Sequence, residues 1–240
     1  MSRIAVVAAL EREVGPLIKK WRVSDKQFEG RHFRFFEKDD SVVVCGGIGA
    51  GAARRAANAM IAIYAPRLIY SAGFAGALDD ALKVGDVVRP RRVVNAGDGS
   101  CVNLDQGEGV LISFGSVASP EQKSKLRDSF KAQAVDMEAA AVARAAEARG
   151  IGFAVVKVIS DEFDFSFPSM EQFVDSDGQF LRGRFAWFAA VRPWLWPKVA
   201  RLARNSNRAS WMLCRCLRTT IDSISMSSDV RTGETSIAQE

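Results

Sequence analysis

Glu13, Glu138 and Asp161 are the side chains of this sequence best placed to do chemistry. Each lies at, or a few residues beyond, the end of an apolar, strand-like run. Arg3–Leu10 precedes Glu13, Phe153–Ser160 precedes Asp161, and Glu138 opens the helix expected over 138–149. In α/β proteins ligands gather at such edges, outside the carboxyl ends of the strands. Three carboxyl groups there suit cleavage of an N-glycosidic bond. One can protonate a ring nitrogen so that the base leaves more easily, a second can activate water and favour the developing oxocarbenium charge, and a third can accept hydrogen bonds from ribose hydroxyls. Burial raises a carboxyl pKa, which lets such a group carry a proton when the reaction needs one. Each residue also has a plainer reading. Glu13 and Glu138 could be first-turn helix acids that favour the macrodipole, and Asp161 could be an N-cap or turn residue.

The elements that must position these groups follow from the pattern. Arg3–Leu10, Arg67–Ser71 and Phe153–Ser160 are short apolar runs of the kind found in sheets covered on both faces. Helices are expected over 11–21, 52–64, 120–130 and 138–149, the last stopped by Gly150. Phe28–Glu37 and Ser41–Cys45 pair as a hairpin turning at Asp39-Asp40. Gly85–Val94 is a strand broken by Pro90, Val110–Phe114 is another, and 97–109 is a polar loop. Gly46–Gly51 and Ala72–Gly76 are glycine-rich turns. Gly47-Ile48-Gly49-Ala50-Gly51 fits neither dinucleotide nor P-loop spacing, and close helix–strand packing is its alternative reading. Alternating strands and helices imply an α/β fold with a mixed or mostly parallel sheet.

Taken in order, six segments resemble the nucleoside phosphorylase superfamily, in particular the methylthioadenosine/S-adenosylhomocysteine nucleosidases. They are Ala8–Val14, Gly47-Ile48-Gly49, Ser71–Leu78, Leu82–Val88, Val135–Ala141 and Ile159-Ser160-Asp161. The resemblance spans about residues 3 to 165. It implies a single three-layer α/β domain around a distorted mixed sheet. It implies a nucleosidase that hydrolyses the N-glycosidic bond of a 5′-modified adenosine and releases adenine, with no cofactor or metal. Asp161 would be the acid that protonates the purine at N7, supported by Ser160, and Glu13 the base that orients water. Glu138 would bind the ribose hydroxyls, Met137 would pack on the sugar, Gly73 and Phe74 would lie beside the nucleophile, and Val117 and Ala118 would meet the purine. Partners implied are a small-molecule nucleoside and a second copy in a homodimer, with a cytoplasmic location. Phosphate as the nucleophile needs several fixed donors, whereas Glu13 would repel it, so water is favoured. A non-catalytic nucleoside-binding protein is the competing class.

The chain departs from that pattern in places. Phe74 stands where a hydroxyl residue is often found, and Lys157 where arginine is common. The segment after Val94 is short, which could leave the 5′ side open. The division expected is a phosphorylase-like domain over 1–178, a basic Trp-rich helical extension over 179–218 and a disordered tail over 219–240, the last being Ser- and Thr-rich. Leu181–Thr220 holds no acidic residue, nine basic ones and four of the five tryptophans. Three readings compete for it: a core or oligomer-interface helix, contact with the inner face of an anionic membrane, and nucleic-acid contact, which lacks a recognition motif. An open 5′ side beside a membrane-bound flank would suit an adenosyl-lipid (hopanoid-type) nucleosidase or phosphorylase, the alternative to the small-substrate enzyme.

The 240 residues, 48% hydrophobic and 25% charged, are enough for one large domain with a core. No run of about eighteen apolar residues suggests a transmembrane helix, and the start of the chain lacks a secretory signal pattern. Cys45, Cys101, Cys214 and Cys216, with His32 the one histidine, make no zinc set; reduced thiols are expected.

Overall fold

A computed structural model describes residues 3–165, 171–173, 175, 178–190 and 192–234. In chain order the elements are β1 (Ile4–Ala8), α1 (Glu11–Ile18), β2 (Arg22–Phe28), β3 (Arg31–Lys38), β4 (Ser41–Cys45), α2 (Ala50–Tyr64), β5 (Leu68–Ala77), β6 (Val87–Val88) and β7 (Arg92–Asn95). Then come β8 (Cys101–Asn103), β9 (Val110–Ser113), α3 (Pro120–Phe130), β10 (Ala134–Asp136), α4 (Ala139–Glu147), β11 (Gly152–Asp161), α5 (Arg182–Ala190) and α6 (Trp196–Glu234).

One mixed sheet runs β2-β3-β4-β1-β5-β10-β9-β7-β8, and β11 pairs with β5 and β6. β1, β4, β5 and β11 are mutually parallel, so their carboxyl ends share one edge. β10 joins the far end of β5 antiparallel, at Gly76 and Ala77, which distorts the sheet where the site lies. The period of two along β1 explains the layering. Ala5 and Val7 pack with α2 and α4 on one face. Ile4, Val6 and Ala8 pack with α1 and α6 on the other. Small residues allow the close approach on the first face: a Cβ at Gly46 would lie 2.5 Å from Ala56 Cβ.

The segments expected as strands and helices are present, with differences: Ala72–Gly76, expected as a loop, continues β5, paired with β11. A strand absent from the sequence reading, β2, turns at Glu29-Gly30, both at positive φ, and makes β2–β3–β4 a three-stranded meander. A short strand, β8, lies inside the stretch expected to be a loop. The C-terminal segment differs most. α6 covers the α1 face of the sheet through Ala209, Leu213, Cys214 and Leu217, all buried. Burying the two leucines contributes roughly 1.5–3 kcal/mol each. Of the three readings for this segment, a core helix fits that face. The helix also runs on through 219–234, which composition assigned to the tail; residues 235–240 lie outside the described residues.

Candidate active site

Glu13 begins its role in the first turn of α1. Its Oε2 accepts from the backbone N–H groups of Ala9 (3.3 Å) and Leu10 (3.4 Å), which pins the carboxylate over the carboxyl end of β1. The helix-end reading of this residue is thus part of the answer. The same oxygen faces β5, where a Cβ at Gly73 would come within 2.9 Å of it. The glycine is what lets a carboxylate lie against that strand.

Glu138 is the N-cap of α4, yet its side chain does not cap that helix. Oε1 instead accepts from the N–H of Gly49 (2.8 Å), the N-cap of α2, and Oε2 from the N–H of Met137 (3.3 Å). The glycine-rich turn therefore serves both purposes weighed for it: Gly46 permits packing, and Gly49 presents a helix N-terminus to a carboxylate.

Beneath these two acids lies a charged floor that the sequence reading largely missed. Lys157 of β11 stands opposite Gly73 in the parallel register. Its Nζ is 2.8 Å from Asp136 Oδ2 and 4.0 Å from Glu138 Oε2. Asp136 also accepts from Ser113 Oγ (2.6 Å) and from the N–H of Ala139 (2.8 Å), and Ser113 Oγ accepts from the N–H of Ala140 (2.9 Å), so the first turn of α4 is capped by Asp136 and Ser113 rather than Glu138. One ammonium faces three carboxyl groups. Burial first, then the Glu138 charge, pushes Glu13 up to about 7 against the pull of Lys157. Burial also raises Glu138, although Lys157 opposes it. For Lys157, burial acts downward, but Asp136, Glu138 and Glu13 outweigh it and hold the ammonium charged above its ordinary range.

Asp161 closes β11, three residues further along the β5 edge. It pairs with Gly76, after an irregularity that leaves Ser160 unpaired between Ile159 and Asp161. Such a bulge re-aims side chains. Lys123 Nζ donates to Asp161 Oδ2 at 2.5 Å and to the Glu162 carbonyl at 2.8 Å. Ser160 Oγ lies 2.9 Å from Asp161 Oδ1. Gly76 makes room for this pair, since a Cβ there would sit 2.8 Å from Oδ2. Asp161 is therefore neither an N-cap nor a turn residue. Gly73 and Gly76, beside which Glu13 and Asp161 lie, are three strand residues apart, roughly 10 Å along β5. That is the scale of a nucleoside from its sugar to the far side of its base.

Phe74 is half-buried and packs against the α1–α6 core. Met137 is half-buried beside Glu138, Ala118 is buried near the start of α3, and Val117 is exposed. Asp136 and Lys157 had a signal, since charges inside apolar runs demand partners. Lys123 had a weaker one: it shares a helix stripe with Leu126 and Phe130 at three- and four-residue spacing. Among the described residues no group of three His, Cys, Asp or Glu side chains could hold a metal ion.

Comparison with known proteins agrees with this architecture. The family described as the phosphorylase superfamily matches residues 3–114 and 107–182. A 5′-methylthioadenosine/S-adenosylhomocysteine nucleosidase of Staphylococcus aureus (strain MRSA252) is 28% identical, over 69% of this chain and 91% of that protein. Among solved structures, the futalosine hydrolase of Helicobacter pylori has a TM-score of 0.68 at 18% identity, covering 92% of this chain and 98% of its own. The 5′-methylthioadenosine/S-adenosylhomocysteine nucleosidase of Colwellia psychrerythraea, in complex with adenine, has a TM-score of 0.59 at 24% identity, covering 67% and 83%. With a family match over most of its length, a mixed sheet of the same fold and acids gathered at one sheet edge, the chain belongs to the phosphorylase superfamily.

Proposed function

We propose that the chain is a purine nucleosidase that hydrolyses the N-glycosidic bond of a 5′-modified adenosine, of the methylthioadenosine/S-adenosylhomocysteine type. The observation that carries this reading is the placement of Glu13 at Gly73 and Asp161 at Gly76 along one strand, with Glu138 between α2 and α4. Asp161, oriented by Lys123 and Ser160, delivers a proton to the purine so that the base leaves neutral. Glu13, once deprotonated, takes a proton from water as it attacks the anomeric carbon. Glu138 holds the ribose hydroxyls. The similarity to nucleosidases in sequence supports the reaction class.

Water is the nucleophile in this reading because the charges disfavour phosphate. Three carboxyl groups surround a single ammonium that already belongs to Asp136. An incoming dianion would need fixed donors to offset that field.

A panel of purine nucleosides, assayed with and without inorganic phosphate, tests the proposal. Free adenine together with the 5′-substituted ribose (methylthioribose or ribosylhomocysteine), independent of phosphate, is expected. Release only with phosphate replaces hydrolysis by phosphorolysis. Tight binding of adenine analogues without turnover of any nucleoside makes this a nucleoside-binding protein instead.

A further inference from the structure

Helix α6 carries two stripes of opposite character. The inward stripe, Ala209, Leu213, Cys214 and Leu217, is buried on the sheet. On the outward side, positions 201, 204, 208, 211, 215 and 218 advance by alternating steps of three and four, which keeps them on one face. They are Arg201, Arg204, Arg208, Trp211, Arg215 and Arg218, and all but Arg201 are exposed. The Arg215 guanidinium lies over the Trp211 ring at 5.5 Å. No acidic residue occurs between 181 and 220, and Arg201 is paired with Glu162, just past the end of β11. At its N-terminal end, Trp187 and Trp194 stand 72% and 70% exposed.

Exposed indoles beside the exposed arginines Arg204, Arg208, Arg215 and Arg218 match the chemistry of a lipid interface. Indole rings settle at the headgroup level, and guanidinium groups pair with anionic phosphates. A second copy of this chain fits poorly. A two-fold contact sets a patch against itself, here arginine against arginine, and like charges brought together across an interface cost several kcal/mol. Among the described residues no helix is long and apolar enough to cross a membrane.

We propose that the outward face of α6, with Trp187 and Trp194, docks on an anionic lipid surface. The ridge starts at the site: Arg201 reaches Glu162 Oε2 at 3.2 Å, and Glu162 follows Asp161. The proposal stands on this surface and is independent of the reaction.

The test is sedimentation of the full chain with vesicles of phosphatidylcholine alone and of equal parts phosphatidylcholine and phosphatidylglycerol. Binding to the anionic vesicles only, reversed by high salt, is expected. Each arginine near an anionic surface is worth on the order of fivefold in binding, so Arg204→Glu with Arg215→Glu should lower it well over tenfold. Trp187→Ser with Trp194→Ser should lower it too. All four side chains are exposed, and an unchanged thermal melt will show the fold intact. Equal binding to both vesicle types, binding to neither, or full binding by both double variants would overturn the proposal. So would salt-sensitive binding to single-stranded RNA with none to vesicles, or an oligomer dissociated by the Trp variants in a chain that ignores vesicles.

Discussion

Lys157 Nζ sits 2.8 Å from Asp136 Oδ2, and both side chains are sealed from solvent, at 1% and 0% exposure. This pair is the floor of the site. It holds a positive charge under Glu13 and Glu138 while Asp136 caps α4. Removing one member of a buried pair strands the other charge, at about 3–5 kcal/mol. Lys157→Met is therefore expected to lose stability of that order, read by denaturant unfolding. In the folded fraction it should push the Glu13 titration further up, because Lys157 is the larger of the two charges, with Arg12, that lower it. Lys157→Arg keeps the charge and should retain more of both.

Glu13 should also make stability fall as pH rises. Its folded-state value of about 7 lies above its ordinary 4.5, so its contribution is full below about pH 4.5 and is lost as pH climbs through 7. Glu13→Gln removes that dependence. Against wild type, the variant should gain up to about 3 kcal/mol at pH 8 and little at pH 4, measured by unfolding at each pH. The catalytic consequence has the opposite sense: kcat/KM of the wild type should rise through about pH 7 as Glu13 gives up its proton.

Gly73→Ala puts a methyl group 2.9 Å from Glu13 Oε2. The carboxylate must then move. Displacing a reacting group by about 1 Å can cost on the order of 100-fold in rate. Steady-state assays should show that loss mainly in kcat.

Lys123→Met tests what orients Asp161. The lysine donates to Oδ2 while Ser160 stands at Oδ1. One hydrogen bond to a charged group is worth about 1.5–3 kcal/mol, so kcat should fall roughly 10- to 100-fold. Because Asp161 keeps 25% exposure, water can reach it, and the thermal melt should move less than that of Lys157→Met.

The parts legible in the sequence are those written in local pattern. β1 and β11 announce themselves as apolar runs, and Glu13, Glu138 and Asp161 follow their strand ends closely. The fold class followed from the alternation of such runs with helices. What was not legible depends on register across the sheet. That Lys157 faces Gly73, and that Lys123 reaches across from α3 to Asp161, are consequences of β11 pairing with β5 and of where α3 lands. No spacing along the chain encodes them. β2 was missed because Arg22–Phe28 is an exposed, polar strand that lacks a buried face. Ser and Thr content argues against helix over 219–234, yet α6 continues there from the turns that pack on the core.

The account rests on Asp161 as the proton donor to a purine. The most direct measurement is adenine release from methylthioadenosine and adenosylhomocysteine by the wild type and by Asp161→Asn, with both proteins shown folded by their melts. Loss of general acid catalysis costs about 10²–10⁴-fold, so the wild type should release adenine and the variant should fall by that factor. Undiminished release by Asp161→Asn, or none from either nucleoside by the folded wild type, would contradict it.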